Sequence, residues 1–141
     1  MSSTGPSVAK VLVKKYQLAK VVEESTKSRF EKIFVGVGHR RNGLYFVEDV
    51  YECPNIADNP VVYFKADPLC IYSVYSNAES TGREIVLLVH SHPAPPYPSR
   101  DDYEGMKYWA LPWLIISSPT GEYKAWILEK GVLREVVVEG V

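Results

Sequence analysis

The sequence predicts one α/β domain in which a mixed, mostly antiparallel β-sheet is flanked by helices. The chain has 141 residues, the length of a single domain, and no internal repeat or linker interrupts it. Short β-rich segments alternate along it with segments of helical period. We expect residues 1–141 to form this one domain, with residues 1–6 flexible.

The first half of the chain predicts a strand, a helix and a hairpin. Residues 8–13 are β-rich, and the apolar residues after them recur at helical spacing until the polar run 25–28. Residues 31–38 resume as a strand whose two glycines allow close backbone approach. Asn42-Gly43 is a strong hairpin signal, so we expect residues 44–52 to return antiparallel to that strand.

The second half predicts two helices around a central strand, and then three strands. Asp67-Pro68 is typical of a helix start and Gly82 of a helix stop. Residues 84–89 predict the central strand, and a second helix is expected over residues 99–109. The remaining β-rich segments are residues 113–117, 123–128 and 132–138. The turns between them are residues 119–121 and 130–131.

The composition favours an ordinary globular protein. Hydrophobic residues make up 46% and charged residues 23%, with a formal net charge of −1, which gives no reason to expect nucleic acid or an anionic membrane as a partner. No apolar run approaches the roughly 20 residues of a membrane span, and the N-terminus lacks the regions of a secretory signal. We therefore expect a cytoplasmic protein.

Two cysteines are too few for a zinc ribbon or a secreted disulfide scaffold. We expect Cys53 and Cys70 to be free thiols. A bond between them, or between subunits, stays open at this point.

Side chains that bind metals cluster at the end of the central strand. On an extended strand His90 and His92 project to the same side, where two imidazoles can share one ion. The proline-rich residues 93–98 predict a stiff loop. Ser99 then fits a helix N-cap, with Asp102 in the first turn, able to reach back toward the histidines. Two histidines and one carboxylate leave one tetrahedral position open, as in catalytic zinc sites.

Each pattern alone is common, because a His-x-His pair is often a packing feature and Ser-x-x-Asp is often only a capping box. Their succession within one short loop is far more specific. His90-Ser91-His92-Pro93 followed by Ser99-x-x-Asp102 resembles the JAMM, or MPN-plus, signature of zinc-dependent isopeptidases. Residues 30–38 and 113–117 are similar to compact archaeal, desampylase-like members of that family. One departure is that six residues separate His92 from Ser99, where the usual pattern has seven.

The resemblance implies a single MPN domain with a cytidine-deaminase-like fold and a metalloprotease activity. One Zn²⁺ per chain would be held by His90, His92 and Asp102. By the same resemblance Glu31 is the general base, and Ser99 donates a hydrogen bond to the oxyanion of the tetrahedral intermediate. The carboxylates that compete with Glu31 for the role of base are Glu48, Glu52, Glu84 and Glu104.

The family cleaves isopeptide bonds after the C-terminal Gly-Gly tail of ubiquitin or ubiquitin-like modifiers, so the resemblance implies such a modifier or its conjugates as the partner. The tail would add as a strand beside residues 55–64. The candidate substrate-binding residues there are Asn55, Val61, Val62, Tyr63 and Phe64. Two alternatives remain open: trimming of a ubiquitin-like sulfur-carrier protein, and a non-catalytic MPN scaffold. A homodimer also stays open.

Overall fold

The computed structural model describes residues 9–60 and 65–141, which form a mixed β-sheet with three helices. In these residues the elements follow in the order β1 (Lys10–Val13), α1 (Lys15–Lys27), β2 (Ile33–Arg41), β3 (Leu44–Cys53), α2 (Pro68–Ser80), β4 (Glu84–His92), α3 (Arg100–Met106), β5 (Trp113–Ser117), β6 (Tyr123–Glu129) and β7 (Val132–Gly140). The predicted α/β class is confirmed.

The sheet closes on itself as a barrel with the strand order β1-β3-β2-β4-β5-β6-β7. Strand β1 lies parallel to both β3 and β7, and β4 lies parallel to β5. The other neighbours are antiparallel. The mixed, mostly antiparallel sheet agrees with the prediction, whereas its closure through β1 was not predicted.

Two tight turns have the backbone that their sequences favour. Asn42 and Gly43 both have positive φ, 52° and 80°, as a two-residue hairpin turn requires. Lys130 and Gly131 repeat this conformation between β6 and β7, with φ of 51° and 77°. Both predicted turns are confirmed.

The glycines of β2 allow the close approach that the sequence indicated. A Cβ at Gly38 would lie 1.8 Å from the carbonyl oxygen of Phe46, and one at Gly36 would lie 2.9 Å from Cβ of Leu87. The register of β2 shifts at these positions against both neighbouring strands. Strand β2 is therefore packed tightly between β3 and β4.

Several element boundaries differ from the predictions. Helix α1 runs through the polar residues to Lys27, because Ser25 continues the buried face formed by Leu18 and Val21. An exposed pair of Lys27 with Glu23 one turn earlier, at 2.6 Å, adds a small contribution. Strand β2 begins at Ile33 rather than at residue 31, and α3 ends at Met106 rather than at residue 109. The expectations for residues 1–6 and 61–64 lie outside the described residues.

Helix α2 begins as predicted. The side chain of Asp67 accepts a hydrogen bond from the backbone of Leu69 at 3.0 Å, and Pro68 occupies the first turn. None of the helices formed by the described residues is long and apolar enough to cross a membrane.

The expectation that both cysteines are free is wrong. Cys53, the last residue of β3, forms a disulfide with Cys70 in the first turn of α2, with a Cα–Cα distance of 5.7 Å. An isolated antiparallel bridge pairs Asn55, just after β3, with Ala66, just before α2. This long-range folding brings the two cysteines together, and their spacing in the sequence did not predict it.

The disulfide should contribute strongly to stability. It closes a loop with a sequence separation of 17, and cross-links of that size stabilise a fold by about 3 kcal/mol. We expect the double variant Cys53→Ser, Cys70→Ser to lose about that much free energy of unfolding, and its Tm to fall by about 10 °C. A reductant should lower the Tm of the wild-type protein similarly and leave the double variant unchanged. Equal Tm values for wild type and variant would contradict this prediction.

Two hydrophobic clusters lie on opposite faces of the sheet. One packs α1 against the first face, to which β4 contributes Leu87 and Val89. The other packs α2 and α3 against the second face, to which β4 contributes Leu88. His90 and His92 alternate with the same period as Leu88, so their side chains lie on the second face, beyond its apolar cluster.

Candidate metal centre and active site

Strand β4 extends through both histidines, which lie at its carboxyl end. Their ring centroids are 5.5 Å apart, and their residues are only 1% and 8% exposed, for His90 and His92 respectively. The backbone of Ser118 donates a hydrogen bond to the carbonyl of His92 at 3.0 Å. Strand β4 therefore continues three residues beyond its predicted end at residue 89 and includes both histidines.

Asp102 reaches back to the histidines from the first turn of α3, as the sequence predicted. Its Oδ1 lies 2.9 Å from Nε2 of His90. Its Oδ2 accepts from the backbone N–H of Ser99 at 2.8 Å, and the Ser99 hydroxyl accepts from the backbone N–H of Asp102 at 3.0 Å. This reciprocal capping box fixes the carboxylate, and it places Ser99 beside it at the same cleft.

The proline-rich loop is anchored by β6. The indole Nε1 of Trp126 donates to the carbonyl of Pro96 at 2.9 Å, and the ring of Tyr97 packs against the same indole with a centroid distance of 5.4 Å. A loop one residue shorter than usual therefore still places Ser99 and Asp102 at the histidines.

Helix α3 lies close to the sheet because residue 105 is glycine. A Cβ there would lie 2.7 Å from Cη2 of Trp113, a buried side chain that cannot move aside cheaply. The indole of Trp113 in turn packs edge-on against the imidazole of His90, with a centroid distance of 6.0 Å. Gly105 and Trp113 thus set the depth at which α3 carries Asp102.

Glu31 is buried beside the histidines. It is 5% exposed, and its Oε1 lies 3.8 Å from Nδ1 of His90. Burial raises the pKa of the Glu31 carboxyl to about 7, against the opposing attraction of His90 and with a smaller push from Asp102. A carboxyl with a pKa near neutrality suits proton transfer in both directions.

The pKa values of the two neighbouring groups favour the forms that bind metals. Burial lowers the pKa of His92, which keeps its imidazole neutral. Burial would by itself raise the pKa of Asp102, but hydrogen bonds from His90 and Ser99 outweigh it and hold that pKa below its usual value. Neutral imidazole and ionised carboxylate are the states that metals bind.

The donors fit zinc by type, and one of them has no other partner. Nε2 of His92 is buried without a hydrogen-bond partner among the described residues, which suits a ligand atom. His90 and Asp102, in contrast, contact each other directly. Among the described residues, no group of three His, Cys, Asp or Glu side chains has the spacing of metal ligands. Metal binding here would require the His90–Asp102 contact to open.

The four competing glutamates lie away from the histidines or are engaged elsewhere. Glu48, Glu52 and Glu104 have side chains 46%, 42% and 58% exposed, and each pairs with a basic residue. Glu84 is exposed at the other end of β4. Glu31 is the buried one of the five.

A cleft of about 960 Å³ leads from solvent to this cluster between α2 and α3. Its inner end is formed by Glu31, His90, His92 and Asp102, and its walls are largely apolar and aromatic. Among the candidate substrate-binding residues, Asn55 lies in the loop before α2, whereas Val61, Val62, Tyr63 and Phe64 lie outside the described residues.

Besides Gly105 and Trp113, three residues that form hydrogen bonds at the site were not identified from the sequence in that role. They are Ser91, which bonds the main chain next to Glu31, Asn55, which bonds the main chain of Glu31 itself, and Trp126. The sequence did contain a signal for Trp126. A loop rich in proline has few N–H donors of its own, so its carbonyl groups need a donor from elsewhere, and an indole N–H is one. No local pattern identified the other two.

The structure thus brings together the His-x-His pair and the aspartate on which the resemblance to the JAMM signature rests. The chain belongs to the prokaryotic homologs of the JAB domain, whose sequence profile matches residues 14–129. The predicted resemblance is thereby confirmed.

Two curated relatives carry names that describe a function. A desampylase of Pyrococcus furiosus is 46% identical over 82 residues, which are 57% of this chain and 58% of the relative. A probable TtuB-protein conjugate cleaving protease of Thermus thermophilus is 31% identical over 93 residues, 65% of this chain and 61% of the relative. The matched segments thus span about three fifths of the length of each relative.

The fold has a close match among solved structures. The solution structure of a protein from Desulfitobacterium hafniense superposes with a TM-score of 0.78 and covers 93% of this chain and 94% of that one. At 22% sequence identity this likeness concerns the fold.

Proposed function

We propose that this protein is a zinc-dependent isopeptidase that hydrolyses the amide bond after the C-terminal Gly-Gly tail of ubiquitin-like modifier proteins. The observation that carries the proposal is the buried Glu31 carboxyl, 3.8 Å from His90 and at the inner end of the cleft that also holds His92 and Asp102. The names of the two relatives, a desampylase and a conjugate cleaving protease, support the same reaction class.

One Zn²⁺ per chain would be held by His90, His92 and Asp102. When bound, zinc supplies a Lewis acid that polarises the scissile carbonyl and lowers the pKa of water to about 7. The capping box keeps the Asp102 carboxylate facing the histidines, and the walls of the cleft beside them are largely apolar.

Glu31 acts as the general base. Its carboxylate accepts the proton of the attacking water, and the resulting acid passes that proton to the leaving amine of the target lysine. Burial of this carboxyl raises its pKa, which favours the step in which it holds the proton before passing it to the amine. Ser99, which lines the cleft beside Asp102, donates a hydrogen bond from its hydroxyl to the oxyanion, while its oxygen continues to accept from the Asp102 N–H.

The Gly-Gly tail is proposed to lie extended beside residues 55–64. Backbone hydrogen bonds would then supply affinity, and only small side chains would fit near the metal. The proposal places the protein in the cytoplasm, as one domain over residues 1–141, with the modifier or its conjugates as partner. Trimming of a ubiquitin-like sulfur-carrier protein would use the same tail and the same groups.

The test is cleavage of a conjugate in which a modifier ending in Gly-Gly is joined to a lysine side chain of a target protein. We expect release of the unmodified target and of a modifier with an intact tail, identified by mass spectrometry. A conjugate whose terminal glycines are replaced by leucines is the control and should not be cleaved. Binding of the intact conjugate without cleavage, by protein that contains zinc, would favour the non-catalytic scaffold and contradict the proposal.

A further inference from the structure

The side chain of Asn55 connects the loop before α2 to the main chain of Glu31. Its Nδ2 donates to the carbonyl oxygen of Glu31 at 2.8 Å. Its Oδ1 accepts from the backbone N–H groups of Ala57 and Lys65, at 3.1 Å and 2.9 Å. One amide group therefore holds both sides of the loop together and binds that loop to the residue with the buried carboxyl.

Glu31 needs such contacts because it precedes the sheet. Strand β2 begins at Ile33, so strand pairing does not fix the peptide of Glu31. The backbone N–H of Glu31 donates to the carbonyl of Pro60 in the same loop, at 2.6 Å. The loop thus bonds both the N–H and the carbonyl of Glu31.

Strand β4 binds the next residue from the other side. Ser91 Oγ accepts from the backbone N–H of Lys32 at 2.9 Å, and the backbone N–H of Ser91 donates to the carbonyl of Lys32 at 3.0 Å. The main chain at 31–32 therefore lies between the strand that carries the histidines and the loop clasped by Asn55.

We propose that Asn55 is a positioning residue for Glu31, acting through the Glu31 carbonyl rather than by contact with substrate. The inference rests on the proposed function, in which Glu31 transfers the proton. It also gives Asn55 a different role from the one expected from the sequence, because the described contacts direct its amide inward to the protein's own backbone. A displacement of about 1 Å in a catalytic group can cost about 100-fold in rate, so one such bond matters.

The decisive variant is Asn55→Asp. The aspartate keeps an oxygen that accepts from the N–H groups of Ala57 and Lys65, so these loop hydrogen bonds remain. It removes the N–H donor to Glu31 and places a carboxylate oxygen against the Glu31 carbonyl oxygen, where neither atom can donate. We expect kcat on the conjugate to fall about tenfold or more, with KM within about twofold of the wild-type value and zinc content unchanged. Asn55→Ala should lower kcat as well, which excludes the added charge as the cause. Asn77→Asp, the same change at an exposed position on α2, is the matched control and should leave kcat unchanged.

Two kinetic results would overturn the inference. A raised KM with normal kcat would make Asn55 a substrate contact, and unchanged values of both would give it no role in the reaction. Assays well below the Tm of each variant exclude a loss of folded protein as the cause of a lower kcat.

A crystal structure of the Asn55→Asp variant tests the positioning without any assay of activity. We expect the Glu31 carboxyl to move from its 3.8 Å contact with His90, and an unmoved carboxyl would overturn the inference. If the wild-type protein cleaves no conjugate but the carboxyl moves in the variant, the proposed function fails and the positioning role of Asn55 stands.

Discussion

Replacing Glu31 with glutamine should lower the rate of conjugate hydrolysis by about 100-fold or more while leaving zinc content and KM close to wild type. Glutamine has nearly the same shape, but its amide cannot take a proton from water, and loss of a general base costs 10²–10⁴-fold. Glu31 is not one of the three proposed zinc ligands, so the metal should remain. The measurement is kcat and KM on the conjugate, together with the zinc content of the same sample.

The matched control is Glu84→Gln, which makes the same change at the other glutamate that lines the cleft. Glu84 is exposed and distant along β4, so this variant should keep its activity. An active Glu31→Gln protein with full zinc occupancy would remove the base from Glu31 and return the search to Glu48, Glu52, Glu84 and Glu104.

Replacing His92 with alanine should abolish both zinc binding and hydrolysis. Three protein ligands are the minimum of a catalytic zinc site, and the Nε2 of His92 is buried without another partner among the described residues. Zinc content per chain should fall close to zero, and cleavage of the conjugate should fall below detection. Circular dichroism and Tm measurements would check that the variant is folded.

His39→Ala provides the control, because it removes an imidazole of the same chemistry from the surface. The His39 side chain is 53% exposed and lies 3.4 Å from Glu48, remote from the cleft. The zinc content and the activity of the His39→Ala variant should match those of the wild-type protein. A His92→Ala protein that binds zinc at wild-type stoichiometry would contradict the assignment of this histidine as a ligand.

The parts of the fold that were predictable depend on short-range chemistry. Local chemistry explains three features that the structure confirms: the Asn42-Gly43 turn, the Asp67-Pro68 helix start and the close approach at the glycines of β2. The closure of the barrel through β1 and the Cys53–Cys70 disulfide depend on contacts between residues far apart in sequence. No local pattern specifies such contacts.

The candidate site divides in the same way. The alternation of a strand places His90 and His92 on one face, and the Ser-x-x-Asp capping box brings Asp102 to them. Glu31 was selected through the family resemblance. In the structure its carboxyl is buried, with Oε1 3.8 Å from Nδ1 of His90. Its supports, Ser91 and Asn55, were not recognisable as such, because their hydrogen bonds cross 59 and 24 residues of sequence.

We propose that zinc held by His90, His92 and Asp102 makes this chain a hydrolase. The most direct measurement is a titration of chelator-treated protein with Zn²⁺, in which bound zinc and conjugate cleavage are followed together. We expect no cleavage without metal, and a rate that rises in proportion to bound zinc and saturates at about one zinc per chain. Full cleavage by the metal-free protein, or one bound zinc per chain without cleavage, would contradict the claim.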